Sequence, residues 1–277
     1  MSEKNNPKYL KIDIEKVFAS KSEKLAKLLP GFLIRYLKRI IHQDELNEFL
    51  SKNHHKQGIE FADSVLEELN ISFKIEGLEN INQEDRYLFA SNHPLGGPDG
   101  IILISIFGKI YPKIQFLVND ILMNIKNLSD VFIPINKHGG QAKESALKLE
   151  NAYQSNAAIL TFPAGLVSRK QKGKIEDLAW KKSFIAKSVK HKRNIVPIHI
   201  DGRNSNFFYN LANLRKFFGL KSNLEMLYLP NELFKQRGKT FTVRIGKPIP
   251  YQTFDKSMSY SKWAEKMKKE TYKLVNQ

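Results

Sequence analysis

Apolar residues in the N-terminal part of the chain fall at helical spacing, with no strand pattern among them. Leu29, Phe32, Leu33, Tyr36, Leu37, Ile40 and Ile41 recur at i, i+3, i+4, i+7, i+8, i+11 and i+12, while Arg35, Lys38, Arg39 and His42 lie on the other side. That spacing predicts a basic amphipathic helix. Its apolar stripe suits either the headgroup plane of an anionic membrane or the core of the domain that follows, because both partners select the same pattern. A second helical stretch covers 59–69.

Beyond it, short apolar runs alternate with helical patterns. The runs predict strands at 72–76, 87–91, 115–118, 131–134, 157–162, 194–200, 224–229 and 241–245. Helices are predicted after Pro98 and over 140–153, 178–189 and 260–275. This alternation predicts an α/β fold, a mixed and largely parallel central sheet flanked by helices on both faces. The chain then divides into an N-terminal helical, membrane-associating segment at 1–57 and an α/β domain at 58–277. Ligand sites in such sheets gather at the carboxyl ends of the strands, so the loops leaving the strands are where chemistry is expected.

Three of these loops hold most of the unusual polar residues. The first reads Ser91-Asn92-His93-Pro94-Leu95-Gly96-Gly97-Pro98-Asp99-Gly100, the second Phe162-Pro163-Ala164-Gly165-Leu166-Val167-Ser168-Arg169, and the third Asp201-Gly202-Arg203-Asn204-Ser205. A histidine accepts a proton near neutral pH, and a carboxylate on its other ring nitrogen fixes the tautomer and stabilises the imidazolium. His93 and Asp99 are the candidates for that pair. The bland readings are a loop histidine for His93 and a helix N-cap for Asp99. If the strands before the three loops are parallel neighbours, all three open on one edge of the sheet.

Charge and composition narrow the classes. There is no cysteine, which excludes disulfides, thiolate metal sites and cysteine nucleophiles and fits a reducing compartment. Residues 1–9 are polar, and no apolar run reaches the roughly 18 residues of a membrane span. A formal charge of +17 creates a field that attracts anionic partners. Ten basic residues against two acidic ones lie between Ser168 and Arg193, a surface suited to anionic lipid, an acidic carrier protein or a nucleotide handle. No Gly-x-Ser-x-Gly elbow or His-Glu-x-x-His helix is present, so no standard hydrolase nucleophile or zinc site is visible. A nucleic-acid-binding protein would leave the His93/Asp99 loop unexplained, and the chain carries no zinc-finger or RNP signature. His199 and Asp201 alternate with isoleucines in a strand pattern and have no third metal ligand at convincing spacing. His54, His55 and His138 are expected in solvated loops, 101–107 in a packed core helix, and Phe207, Phe208, Tyr209, Phe217 and Phe218 in core packing or an acyl groove.

The three loops, in order, resemble the motifs of the glycerolipid acyltransferases of the lysophosphatidic-acid-acyltransferase type. Asn92-His93 with a following aspartate, Phe162-Pro163-x-Gly165-x-x-Ser168-Arg169 and Val196-Pro197-Ile198 carry that likeness. The glycines of the first loop, Asp201 to Ser205, Leu229-Pro230-x-Glu232-Leu233 and the stretch from Arg237 to Ile249 are similar to a hemolysin-like subfamily. That subfamily includes the O-acyltransferases that finish ornithine and glycine lipids.

The resemblance implies that His93 is the general base, held by Asp99, and that Asn92, Gly96, Gly97, Phe162, Pro163, Gly165, Ser168, Arg169, Arg203 and Asn204 bind substrate. Backbone N–H groups near Gly165 are expected to stabilise the oxyanion, and Arg169 and Arg203 to hold a phosphate or carboxylate. It implies no cofactor and no metal, with acyl carrier protein or coenzyme A thioester as donor and a lyso-lipid hydroxyl as acceptor. The expected location is peripheral, on the cytoplasmic face of an anionic membrane. The broad family has His-x4-Asp, whereas five residues separate His93 and Asp99, so the Gly96-Gly97 turn must absorb one more. Where the family has Glu-Gly-Thr-Arg, this chain has Ala164-Gly165-Leu166-Val167. The missing arginine shifts the expected acceptor from lysophosphatidic acid, the alternative, to a monoacylated amino-acid lipid. A basic lipid- or nucleic-acid-binding protein without catalysis is the competing class.

Overall fold

The computed structural model describes residues 11–21, 30–135 and 142–276. Leu29 and His138, and the start of the helix predicted over 140–153, lie outside the described residues. The elements in chain order are α1 (Ile14–Lys21), α2 (Gly31–Ile41), α3 (Gln43–Asn53), α4 (Gly58–Glu68), β1 (Ser72–Glu76), β2 (Leu88–Ser91), α5 (Gly97–Ile110), β3 (Ile114–Val118), β4 (Phe132–Pro134) and α6 (Ala142–Gln154). They continue with β5 (Ala158–Thr161), β6 (Arg169–Gln171), β7 (Lys174–Glu176), α7 (Ser183–His191), β8 (Ile195–Ile200), α8 (Asn206–Phe217), α9 (Leu229–Phe234), β9 (Thr240–Ile245) and α10 (Tyr260–Lys273).

Among the described residues, seven strands form one sheet in the order β1-β9-β8-β2-β5-β3-β4. All neighbours are parallel except β8 and β9, so β1 and β9 run against the other five. The sheet is therefore mixed and mostly parallel, as the alternation of elements predicts. Side chains on successive strand residues point to opposite faces, and both faces are covered. Phe89, Phe116, Leu160 and Val196 pack with Phe61 and Leu66 of α4 and with Ile102, Leu103 and Phe107 of α5. Leu88, Ala90 and Ile159 pack on the other face with Tyr153, Phe184, Ile185, Trp263 and Met267 from α6, α7 and α10. Strands buried on both sides read as continuous apolar runs, which is why β2, β5 and β8 stand out in the sequence.

Two expectations are corrected. Residues 224–229 form no strand: Leu224–Tyr228 is a 3-10 turn that leads into α9, with Pro230 in the first turn of that helix. Glu225 is fully buried there between two arginines, and Pro230 has no N–H to give a ladder. The helix predicted over 178–189 starts at Ser183, after an irregular stretch. The small β6–β7 hairpin sits inside the basic run and turns at Lys172 and Gly173, both at positive φ.

The N-terminal helices cover the domain. Phe49 of α3 meets Phe61 at 5.6 Å and joins the main core. On α2, Leu37 and Ile40 are buried against Ile14, and Tyr36 shares a 2.6 Å hydrogen bond with the hydroxyl of Tyr228. His42 follows, stacked on Phe234 at 4.0 Å. Phe32, from the same apolar stripe, stays exposed. Among the described residues, no helix is long and apolar enough to cross a membrane.

Candidate functional site

The three loops leave β2, β5 and β8, which are adjacent and parallel, so they emerge together at one edge of the sheet. Asn92 sets the first loop against β8. Its side-chain amide donates to the carbonyl of Ile200 at 3.0 Å and its Oδ1 accepts the Ile200 N–H at 2.7 Å, continuing the ladder by one step. With both ends of that amide engaged, Asn92 holds the loop in place.

His93 and Asp99 meet in spite of their wider spacing. His93 Nδ1 lies 2.9 Å from Asp99 Oδ2, and the same oxygen accepts the N–H groups of Leu95 at 2.8 Å and Gly96 at 3.0 Å. Gly96 absorbs the added residue, turning at φ 92, a left-handed conformation that a side chain resists. Asp99 therefore both caps the start of α5 and orients His93. Its carboxylate is 0% exposed, whereas the His93 side chain keeps 15% of its surface open. An ionised carboxylate only accepts hydrogen bonds, so it fixes the proton on Nδ1 and leaves the Nε2 lone pair free. The ring lies flat on Phe162 at 3.8 Å, which restricts its rotation.

The second loop is tied to the first by a residue that the sequence reading counts only as a charge. Asp177 accepts the backbone N–H of His93 at 3.1 Å, the hydroxyl of Ser168 at 2.6 Å and the indole N–H of Trp180 at 2.9 Å. Burial pushes its carboxyl above the usual range, against the pull of Ser168, Trp180 and the His93 N–H. The Ser168 N–H also donates to the His93 carbonyl at 2.8 Å. No local signal in a run of lysines marks which carboxylate is buried. The Gly165 N–H, expected near an oxyanion, donates to Phe162 within the loop at 2.9 Å, and Pro163 accepts the N–H of Lys181 at 3.0 Å. Lys181 carries its ammonium across Gly165, 2.9 Å from where a Cβ there would stand.

The remaining predicted residues separate from this centre. Arg169 is 2% exposed and pairs with Glu225 at 2.9 Å, and Arg215 holds the other oxygen of the same carboxylate at 2.9 Å. Its guanidinium, weakened by burial, is spent on linking β6 to α8 and the 3-10 turn. Arg203 lies exposed and bonds Asn206. Asn204 is buried, with its backbone N–H on the Tyr209 hydroxyl at 3.0 Å and, among the described residues, no partner for either end of its side-chain amide. Gly97 is exposed beside Leu233. Glu232, from the late motif, accepts the N–H and hydroxyl of Ser205 at 2.6 and 2.7 Å, joining α9 to the third loop.

A buried carboxylate holding a largely buried imidazole against an aromatic wall, with only one ring nitrogen bonded to it, can take a proton from a hydroxyl. The chain is similar to known proteins along most of its length. A family model described as Acyltransferase matches residues 16–277. A lyso-glycine lipid O-acyltransferase of Bacteroides thetaiotaomicron is 50% identical over 264 residues, covering 95% of this chain and 97% of its own. A protein of the same name from Phocaeicola vulgatus is 49% identical over 264 residues, covering 95% of each. Among solved structures, the 1-acyl-sn-glycerophosphate (LPA) acyltransferase PlsC from Thermotoga maritima aligns with a TM-score of 0.46 at 18% identity, over 94% of this chain and 90% of that one.

Proposed function

The chain belongs to the acyltransferase family, and on that premise we propose that it transfers a fatty acyl group from a thioester to the hydroxyl of a monoacylated glycine lipid. The likeness along nearly the whole chain to two proteins named lyso-glycine lipid O-acyltransferase supports the acceptor. The His93–Asp99 pair supports the chemistry.

His93 Nε2 takes the proton of the acceptor hydroxyl as its oxygen attacks the thioester carbonyl. A C–O bond forms and the carbonyl electrons move to oxygen, giving a tetrahedral oxyanion. Collapse breaks the C–S bond, and the proton on Nε2 passes to the leaving thiolate, which restores the neutral imidazole. Asp99 stabilises the imidazolium between the two steps. General-base assistance of this kind is worth about 10²–10⁴ in rate.

The donor is an acyl carrier protein or coenzyme A thioester. What supports an anionic handle is the set of cations that follows Ser168, with Lys170 on β6, Lys172 in the turn and Lys174 on β7. The charge of +17 supports a peripheral position on the cytoplasmic face of an anionic membrane. For lysophosphatidic acid as acceptor, the guanidinium of Arg169 is buried and already paired with Glu225.

The test offers purified protein an acyl thioester with either the monoacyl glycine lipid or lysophosphatidic acid and follows product by mass spectrometry. Diacyl glycine lipid formed faster supports the reading. Faster phosphatidic acid formation overturns the acceptor, and no transfer to any lyso-lipid overturns the function.

A further inference from the structure

Helix α8 is apolar on two faces, and the fold covers one of them. Phe208, Tyr209, Ala212 and Arg215 point inward, packing with Val167 and pairing with Glu225. Phe207, Leu214, Phe217 and Phe218 point outward, with Phe217 83% and Phe218 65% exposed. The chain after the helix adds exposed Leu220, Leu224 and Leu227. Single exposed apolar residues are ordinary, but a row of them on one helix face and its following loop marks an interaction surface.

The chemistry of the row says what covers it. Between Asp201 and Glu225 there is no acidic residue, and Lys216 and Lys221 stand exposed beside the phenylalanines. Apolar residues rimmed by cations fit the interface of a bilayer that contains anionic lipid, where rings enter the acyl boundary and ammonium groups meet headgroups. At the edge of the row, beside Phe207, a cleft of about 370 Å³ is lined also by Tyr36, Arg39, His42, Tyr228 and Lys235, which adds the exposed Arg39 to the same surface, while Lys235 is paired with Glu232 at 2.7 Å.

We infer that the outward face of α8, with the loop through Leu227, is the surface by which this protein docks on an anionic lipid bilayer. The surface adjoins the site: Leu229, just past the loop, stands 3.1 Å from where a Cβ on Gly96 would be, and the Gly96 N–H donates to Asp99. Docking there sets the mouth of the His93 loop against the membrane that supplies a lyso-lipid. The inference deepens the acyl-transfer reading, but vesicle binding is measured without turnover, so failure of one is distinguishable from failure of the other.

The experiment compares sedimentation of the full-length protein with vesicles of phosphatidylcholine alone and with phosphatidylglycerol added. Wild type is expected to bind the anionic vesicles and to release as salt rises. The double variant Phe217→Ser/Phe218→Ser should lose roughly tenfold or more in vesicle affinity. K216Q/K221Q should lose preference for the anionic vesicles. Circular dichroism melting checks that both variants fold, which the exposure of all four side chains allows. Two results overturn the inference: vesicle binding unchanged in the phenylalanine variant, or self-association of wild type that this variant abolishes while vesicle binding persists, which would make the face a contact between copies.

Discussion

Asp177 accepts the backbone N–H of His93 at 3.1 Å across 84 residues of sequence, so the histidine is held from behind by a buried carboxylate. Asp177→Ala leaves three buried donors without an acceptor, the His93 N–H, the Ser168 hydroxyl and the Trp180 indole. Stability should fall by roughly 2–4 kcal/mol. Activity at a temperature where the variant is still folded should fall in kcat more than in KM, because the imidazole is displaced while the rest of the acceptor site remains. Thermal unfolding and steady-state kinetics check both. An unchanged kcat in the folded variant would reduce Asp177 to a purely structural role.

At His93 itself, the expected balance is reversed. His93→Ala should lower acyl transfer by about 10²–10⁴ while costing little stability, since the side chain is part-exposed. Asp99→Asn should lower activity less and stability more, because its Oδ2 accepts three hydrogen bonds and the new amide must bury an NH2 where Oδ1 now lies. Product formation beside unfolding curves separates the two effects.

Much of this site was readable from residue types, because a parallel sheet gathers its loops at one edge and the strands before them are continuous apolar runs. His93, Asp99, Phe162 and Ser168 come together as that logic requires. What could not be read are partners chosen by tertiary packing. Leu224 to Leu229 looks like a strand until Glu225 is seen bridging Arg169 and Arg215, and Asp177 looks like one solvated charge among lysines until Trp180 and Ser168 close over it. The β6–β7 hairpin had a weak signal in Lys172-Gly173, since two residues at positive φ make the tight turn favoured between antiparallel strands.

The two glycines of the first loop should respond differently to alanine. At Gly96 the backbone sits at φ 92 and a Cβ would stand 3.1 Å from Leu229 Cδ2, so Gly96→Ala should cost roughly 1–3 kcal/mol and displace the Asp99 pairing. At Gly97 the nearest side-chain atom is 3.8 Å away, an ordinary contact, so Gly97→Ala should fold and turn over nearly as wild type. Equal losses in the two would show that this loop is not built around the Gly96 turn.

Arg169 offers a test of structure against substrate binding. If its guanidinium held an acceptor, Arg169→Met would raise KM in a protein of normal stability. Because Glu225 would instead be left buried and facing Arg215 alone, the expected outcome is destabilisation. Glu225→Gln should be worse, by about 3–5 kcal/mol, since it leaves two buried guanidinium groups uncompensated. Urea denaturation of both variants with KM measured on each decides the matter.

His199 gives the fold a defined acid sensitivity. Its ring lies on β8 under Tyr272 of α10 at 5.4 Å, and burial pulls its pKa from 6.5 to about 4, with Arg244 adding to the fall and Asp201 opposing it. The folded value lies below the unfolded one, so between these limits the unfolded chain binds a proton that the native chain does not. The contribution of His199 is therefore fully present above pH 6.5 and is lost as pH falls toward 4. By pH 5 the loss should be about 2 kcal/mol, from 1.36 kcal/mol per unit over roughly 1.5 units. His199→Gln cannot titrate, and its amide retains some hydrogen-bonding capacity in place of the ring. Urea unfolding at pH 7 and pH 5 should show wild type losing about 2 kcal/mol more than the variant. Equal losses would assign the acid sensitivity to other groups, the buried Asp177 excluded, because a raised carboxyl pKa favours the folded state as pH falls.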